Sequence, residues 1–168
     1  MKALLIIAPQ NFRDEELFHT QEELEKAGVE TVIASRSAGT VQGMLGRSAE
    51  ATLGLRDVDV GDYDAIVFIG GSGSSAYFNN PAALGIAERA AESGKVLAAL
   101  CIAPSILGNA GLLKGKKVTA YPSERGNLEQ KGAEFTGEGV TVDGKIITAD
   151  GPSSARKFGQ AIAKALGA

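Results

Sequence analysis

The sequence predicts an α/β fold, a three-layer α/β/α sandwich with a mainly parallel sheet. Three observations carry this expectation. Short aliphatic runs without polar alternation recur along the chain, as expected of strands buried on both faces. Amphipathic helical segments lie between those runs. The first run, the helix after it and the second run together span about 30 residues, the length of a parallel βαβ unit.

Taken in order, Lys2 to Ala8 is a buried strand that Pro9-Gln10-Asn11 ends. Phe12 to Ala27 reads as an amphipathic helix with Leu17 and Leu24 at helical spacing, and Gly28 stops it. Val29 to Ser35, rich in β-branched residues, is the second strand. The glycine-dotted stretch Gly39 to Leu55 alternates weakly and is expected to form short strands or a hairpin, with a polar connection over Asp57 to Asp62. Asp64 to Ile69 is a third buried strand running into Gly70-Gly71-Ser72-Gly73. Asn80-Pro81 opens a helix that reaches Glu92, with proline at its first position, and Gly94 ends it. The strand Val96 to Leu100 meets Cys101, and Pro104 and the apolar run Ile106 to Leu113 then predict a helix. Lys116 to Ala120 reads as another strand, and Ser123 to Gln130 as a polar helix or loop. Asp143-Gly144 between Val140-Thr141-Val142 and Ile146-Ile147-Thr148 is a strong hairpin signal. Gly151-Pro152-Ser153-Ser154 caps a closing helix to about Leu166.

A chain of 168 residues suits one domain, residues 1–168, with a full core. Its hydrophobic content of 44% and charged content of 22% are those of an ordinary globular protein. A net charge of -3, a pI near 5.3 and the lack of a basic stripe argue against a nucleic-acid partner. No apolar stretch reaches the roughly 18 residues of a membrane span, and the apolar opening is too short for a signal peptide. One cysteine forms no internal disulfide, and one histidine beside one cysteine makes a poor zinc set. The expectation is a cytoplasmic protein without metal or cofactor.

The chemistry centres on Cys101. A free cysteine is often an inert, small, buried hydrophobe. Here, however, it stands at the carboxyl end of a buried strand, where open α/β sheets bind ligands. It also precedes a helix, whose free N–H groups lower a thiol pKa. Strand, sharp turn and helix with a thiol at the turn is the layout of a nucleophile elbow. Gly70-Gly71-Ser72-Gly73 follows another strand in the same way. It is either a tight turn or a loop whose bare N–H groups, with that of Ile102, form an oxyanion hole.

The segment ALCIAPSILGNAGLLKGKKVTAYP resembles the nucleophile elbow of the ThiJ/PfpI superfamily, which includes the PfpI-type peptidases and the parkinsonism-associated DJ-like proteins. The similarity extends over nearly the whole chain: the opening strand, the helix bearing Asp14-Glu15-Glu16-Leu17, DYDAIVFIGG, the hairpin VDGKIITADGP and the closing helix. It implies the flavodoxin-like, class I glutamine amidotransferase-like fold and a homodimer. It also implies a glutamic acid from the first helix beside the cysteine, and Glu16 matches that position; otherwise Glu16 is one more acid on a face with Glu15, Glu22 and Glu23. A carboxyl beside a thiolate has a raised pKa and acts as general acid/base. Arg47 matches an arginine that DJ-like dimers bring across the interface, or it is an ordinary surface residue. Gly151 and Pro152 resemble a pocket-rim loop.

Two departures from the family bear on the reaction. The peptidase branch has a histidine directly after the cysteine, where this chain has Ile102, and an acid a few positions past the double glycine, where it has Ser74 and Ser75. In the DJ-like branch a histidine stands across the pocket before a proline, where this chain has Tyr121-Pro122. The resemblance therefore implies a cofactor-independent cysteine enzyme acting on a small reactive carbonyl, in the manner of a glyoxalase or deglycase. The alternatives are a redox-sensing or chaperone-like stress protein working through Cys101 oxidation and, least favoured, an intracellular cysteine peptidase. The only histidine, His19, is read as a solvated or interface position near acids.

Overall fold

The computed structural model describes residues 1–168. Its strands and helices alternate as the aliphatic runs and amphipathic segments require: β1 Lys2–Ile6, α1 Asp14–Lys26, β2 Glu30–Ser35, β3 Gly39–Gln42, β4 Ser48–Ala51, β5 Leu53–Gly54, β6 Ala65–Phe68, α2 Pro81–Glu92, β7 Val96–Leu100 and α3 Pro104–Asn109. Then follow β8 Lys117–Val118, α4 Arg125–Gln130, β9 Glu134–Phe135, β10 Val140–Asp143, β11 Ile146–Ala149 and α5 Ala155–Ala165.

A seven-stranded sheet in the order β10-β11-β7-β6-β1-β2-β5 forms the middle layer. Every pairing in it is parallel except β10 with β11, the hairpin turned by Asp143-Gly144. The central strands are buried on both faces, which explains their unbroken aliphatic runs. In β1 the side chains alternate between two cores. Ala3 and Leu5 meet Leu17 and Leu24 of α1 and Phe158 and Ile162 of α5. Leu4 and Ile6 meet Ile86 of α2, Ile106 of α3 and Leu128 of α4. Helices therefore cover both faces, and the sandwich is three-layered. No helix is long and apolar enough to cross a membrane.

The structure refines the sequence reading in three places. The run Lys116–Ala120 does contain a strand, but β8 pairs with β9 in a separate two-stranded sheet rather than joining the main one. The apolar run after Pro104 makes only the six-residue α3, because Gly111, at φ 79, turns the chain left-handed. The Gly39–Leu55 stretch splits into the β3–β4 hairpin and the short β5, which extends the edge beside β2.

Parallel order sends the carboxyl ends of β1, β6 and β7 to one edge of the sheet. Three segments far apart in sequence, around residues 11–16, 70–73 and 101–104, meet there.

Candidate active site

Cys101 follows the last residue of β7 with φ 63, one of two non-glycine residues in the left-handed region. That conformation costs an L-residue roughly 1–3 kcal/mol, so surrounding contacts must hold it. They do so through the main chain on both sides. The Cys101 N–H donates to the Ala149 carbonyl at 3.0 Å, and the Cys101 carbonyl accepts from the Tyr121 N–H at 2.8 Å. The backbone N–H groups of Gly71 and Ile102 face the sulfur.

Glu16 enters from the first turn of α1 and is fully buried. Its Oε1 accepts the Gly70 N–H at 3.0 Å. Its Oε2 is sealed from solvent without a hydrogen bond of ordinary geometry, and the carboxyl interacts with the Cys101 thiol. Burial pushes the Glu16 carboxyl up to about 8, against the thiol, the Gly70 N–H and the Arg13 charge, which all favour ionisation. Glu16 therefore holds its proton over much of the neutral range.

The thiol departs from the expectation of a lowered pKa. Burial and then the negative charge of Glu16 push Cys101 up to about 12, outweighing the Gly71 and Ile102 N–H groups. Two buried acids in contact resist carrying two charges. Below about pH 8 both groups keep their protons, and a thiolate forms only when the thiol proton passes to an ionised Glu16 rather than to water. A raised carboxyl is what makes that transfer feasible.

The glycines here are set by close approach. A Cβ on Gly70 would lie 2.5 Å from both the Cys101 Cβ and Glu16 Oε1. Gly71 has φ 116, and a Cβ on it would lie 2.3 Å from the Arg13 nitrogen.

The remaining predicted residues take different places. Ser72 does not join the oxyanion donors: its N–H points to the Met44 sulfur at 3.4 Å, because the β3–β4 hairpin tip folds over this loop. Gly71 and Ile102 are left as the pair facing the thiol. Tyr121 stands at the lip, its N–H holding the elbow and its side chain 49% exposed. Gly151 and Pro152 begin the short turn before α5, just beyond Ala149, and frame the same edge. The Arg47 guanidinium lies 3.6 Å over the Phe18 ring, a cation–π contact within its own chain.

Sequence reasoning missed three residues. Asp14, buried in the first turn of α1, accepts the Leu45 and Arg47 N–H groups at 2.9 Å each and so pins the hairpin tip. Met44, on that tip, accepts the Ser72 N–H through its sulfur. Arg13 pairs with Glu15 at 2.9 Å and places a positive charge near Glu16 and Cys101. For Asp14 the sequence shows only an acid near a helix start, which the helix dipole already explains. The chain places no group of three or more histidine, cysteine or acidic side chains together as a metal site.

Comparison with known proteins agrees with this fold. The chain matches the DJ-1/PfpI family over residues 1–165. The chain belongs to that family. A Methanocaldococcus jannaschii protein of unassigned function is 40% identical over 98% of this chain and 82% of its own. A protein of Pyrococcus horikoshii named a deglycase is 34% identical over 91% of this chain and 92% of its own. The crystal structure of a ThiJ/PfpI domain protein from Brachyspira murdochii superposes with a TM-score of 0.97 at 32% identity, covering 99% of this chain and 96% of that one. In this DJ-1/PfpI chain the elbow thiol and the buried carboxyl stand beside each other, and Ile102 follows the cysteine.

Proposed function

We propose that the protein is a cofactor-independent enzyme that attacks reactive carbonyl compounds with Cys101, with glyoxalase- or deglycase-like chemistry. The observation that carries this reading is the buried, proton-holding Glu16 beside a thiol that two backbone N–H groups face. The deglycase names of archaeal relatives favour the same reading.

With an α-oxoaldehyde such as methylglyoxal, sulfur bonds to the aldehyde carbon while its proton passes to ionised Glu16. The carbonyl π pair moves to oxygen, where the Gly71 and Ile102 N–H groups stabilise it. Glu16 then protonates that oxygen, giving a hemithioacetal. Ionised again, Glu16 takes the proton from the former aldehyde carbon, whose electron pair forms the C=C bond of an enediol. Glu16 then returns that proton to the neighbouring carbon, and the proton of the hemithioacetal hydroxyl passes to the former ketone oxygen, leaving a thioester. Water hydrolyses the thioester to lactate and frees the thiol. A carboxyl near 8 is placed to give and to take a proton around neutrality. Tyr121 at the lip would donate a hydrogen bond to the substrate, and Gly151 and Pro152 would bound the pocket. The protein would act as a homodimer in the cytoplasm, with Arg47 leaving Phe18 to reach the partner subunit.

Methylglyoxal turnover tests this. Lactate formation is expected from the wild type and lost in Cys101→Ala and Glu16→Gln; unchanged lactate in both variants refutes the reading.

A redox-sensing role is the second reading, and Glu16 Oε2 is what favours it. It has no fixed protein partner, so in its protonated form it can donate to a sulfinate oxygen on Cys101. Mild peroxide followed by mass spectrometry separates the two readings: a redox sensor gains two oxygens at Cys101, whereas an enzyme alone turns over methylglyoxal without that modification. Peptidase activity has no support in the arrangement, since the position after the nucleophile carries an isoleucine and not a base.

A further inference from the structure

The carboxyl edge of the sheet carries a second feature that the chemistry at Cys101 leaves unused. The chain leaves β1 toward β2 on one side and later returns to place β6 on the other, so strand order reverses at β1. The crevice outside the strand ends at such a reversal is where open α/β sheets bind ligands. A groove of about 550 Å³ occupies it, lined by Gln10 and Asn11 after β1, Arg36 after β2, and Ser72, Gly73 and Ser75 after β6.

Charge distinguishes this groove. Its lining holds no acidic side chain, and Arg36 is its only charged residue. Arg36 is exposed, and the ion pairs of the protein leave it out. Two adjoining grooves, of about 260 and 490 Å³, also open onto Arg36. The larger of the two adds Arg56 and again has no acid in its lining. A chain of net charge -3 thus gathers unpaired positive charge at its ligand-binding edge.

One wall of the groove belongs to the loop that faces the nucleophile. Ser72 in its lining directly follows Gly71, whose N–H faces the thiol. The Ser72 N–H is met only by the Met44 thioether at 3.4 Å, a weak acceptor that an oxygen of a ligand displaces readily. β2 lies three strands from β7, which at about 4.8 Å per strand separates their ends by roughly 14 Å. An anion held by Arg36 therefore sits several bonds away from a carbon at the thiol.

From this arrangement we infer that Arg36 and its groove form an anion subsite of the Cys101 site, selecting carbonyl compounds that carry a phosphate or carboxylate remote from the reacting carbon. The inference rests on the reading of Cys101 as a nucleophile toward carbonyls and names the substrate class. Arginine suits the task because its planar fork pairs with either anion through two parallel hydrogen bonds.

The test uses affinity labels on the full chain, where Cys101 is the only cysteine. Rates of Cys101 alkylation are measured with bromoacetamide, with N-bromoacetylethanolamine phosphate and with N-bromoacetyl-β-alanine. In each, sulfur bonds to the methylene carbon and bromide leaves. At least one anionic label is expected to saturate and to outpace bromoacetamide by about tenfold at low concentration, the advantage of one well-made ionic contact. Which label does so decides between phosphate and carboxylate. The ratio of anionic to neutral rate should fall to about one in Arg36→Ala and recover in part in Arg36→Lys. A ratio near one in the wild type, or a ratio untouched by Arg36→Ala, overturns the subsite. Cys101 that bromoacetamide fails to alkylate overturns the nucleophile reading and the subsite with it. Because the readout is alkylation, absence of lactate formation from methylglyoxal leaves the subsite standing.

Discussion

Replacing Glu16 by glutamine should stabilise the protein in a way that depends on pH with a definite sign. In the unfolded chain this carboxyl titrates near 4.5, and in the fold burial lifts it to about 8. Below 4.5 it is protonated in both states and has no effect on the pH dependence. Between 4.5 and 8 the unfolded chain has released the proton while the folded one retains it. Folding then takes up a proton, and stability falls as pH rises through this window. At about 1.4 kcal/mol per pH unit, the effect is capped at about 5 kcal/mol by pH 8. That is a large share of the roughly 5–15 kcal/mol by which a domain is stable. Glutamine keeps an acceptor for the Gly70 N–H and never ionises. Urea unfolding of both proteins from pH 4 to 9 measures the difference, and groups common to both, such as the Glu23 network, cancel. Cys101 stays protonated in both states over this window, since its unfolded value is 9.0 and burial raises it further. The gap should open in favour of Glu16→Gln from about pH 4.5 and level off near 8. A gap that stays flat across that range refutes the account of Glu16 as a buried, proton-holding acid.

Three further outcomes follow from the packing. Gly71→Ala forces a Cβ within 2.3 Å of the Arg13 nitrogen at φ 116, so it should cost about 2–3 kcal/mol in thermal unfolding and abolish turnover. Asp14→Ala removes the acceptor of two hairpin N–H groups. It should lower stability by about 2–3 kcal/mol and speed proteolysis at residues 43–47 without shifting the pH profile that Glu16 sets. Tyr121→Phe should leave the elbow intact, because the backbone N–H and not the hydroxyl holds Cys101. A drop of about tenfold in kcat for methylglyoxal would place the hydroxyl on the substrate, and equal kinetics would confine Tyr121 to its main-chain role.

The fold was legible because a parallel sheet writes itself locally. Lys2 to Ala8 and Val96 to Leu100 have no alternation, since both faces are covered, and Pro81 and Gly28 mark helix ends by their own backbone geometry. Cys101 was legible for the same reason, a thiol between strand and helix. The partners that cross the fold were less so. Glu16 is one acid among several until β1 and β7 come to lie two strands apart, and only the family resemblance separated it from Glu15. The Met44 contact with the Ser72 N–H and the Asp14 clamp on the hairpin link residues about 30 positions apart, with no periodicity to announce them. The direction of the Cys101 shift is not legible in the sequence, because position favours thiolate while burial beside a second acid opposes it, and burial depth is not written in sequence.

The origin of Glu16, Gly71 and Cys101 at the ends of β1, β6 and β7 bears on how the protein matures. These strands are neighbours in the order β7-β6-β1, so no single supersecondary unit contains a working centre. A chain that has formed only its first βαβ unit holds Glu16 without its thiol, and the nucleophile is set only once the long-range pairings around residues 65 to 100 are made. Recovery of thiol reactivity during refolding should accordingly coincide with the slowest consolidation of the central strands. The short β5 edge can fray and reclose without the centre being lost.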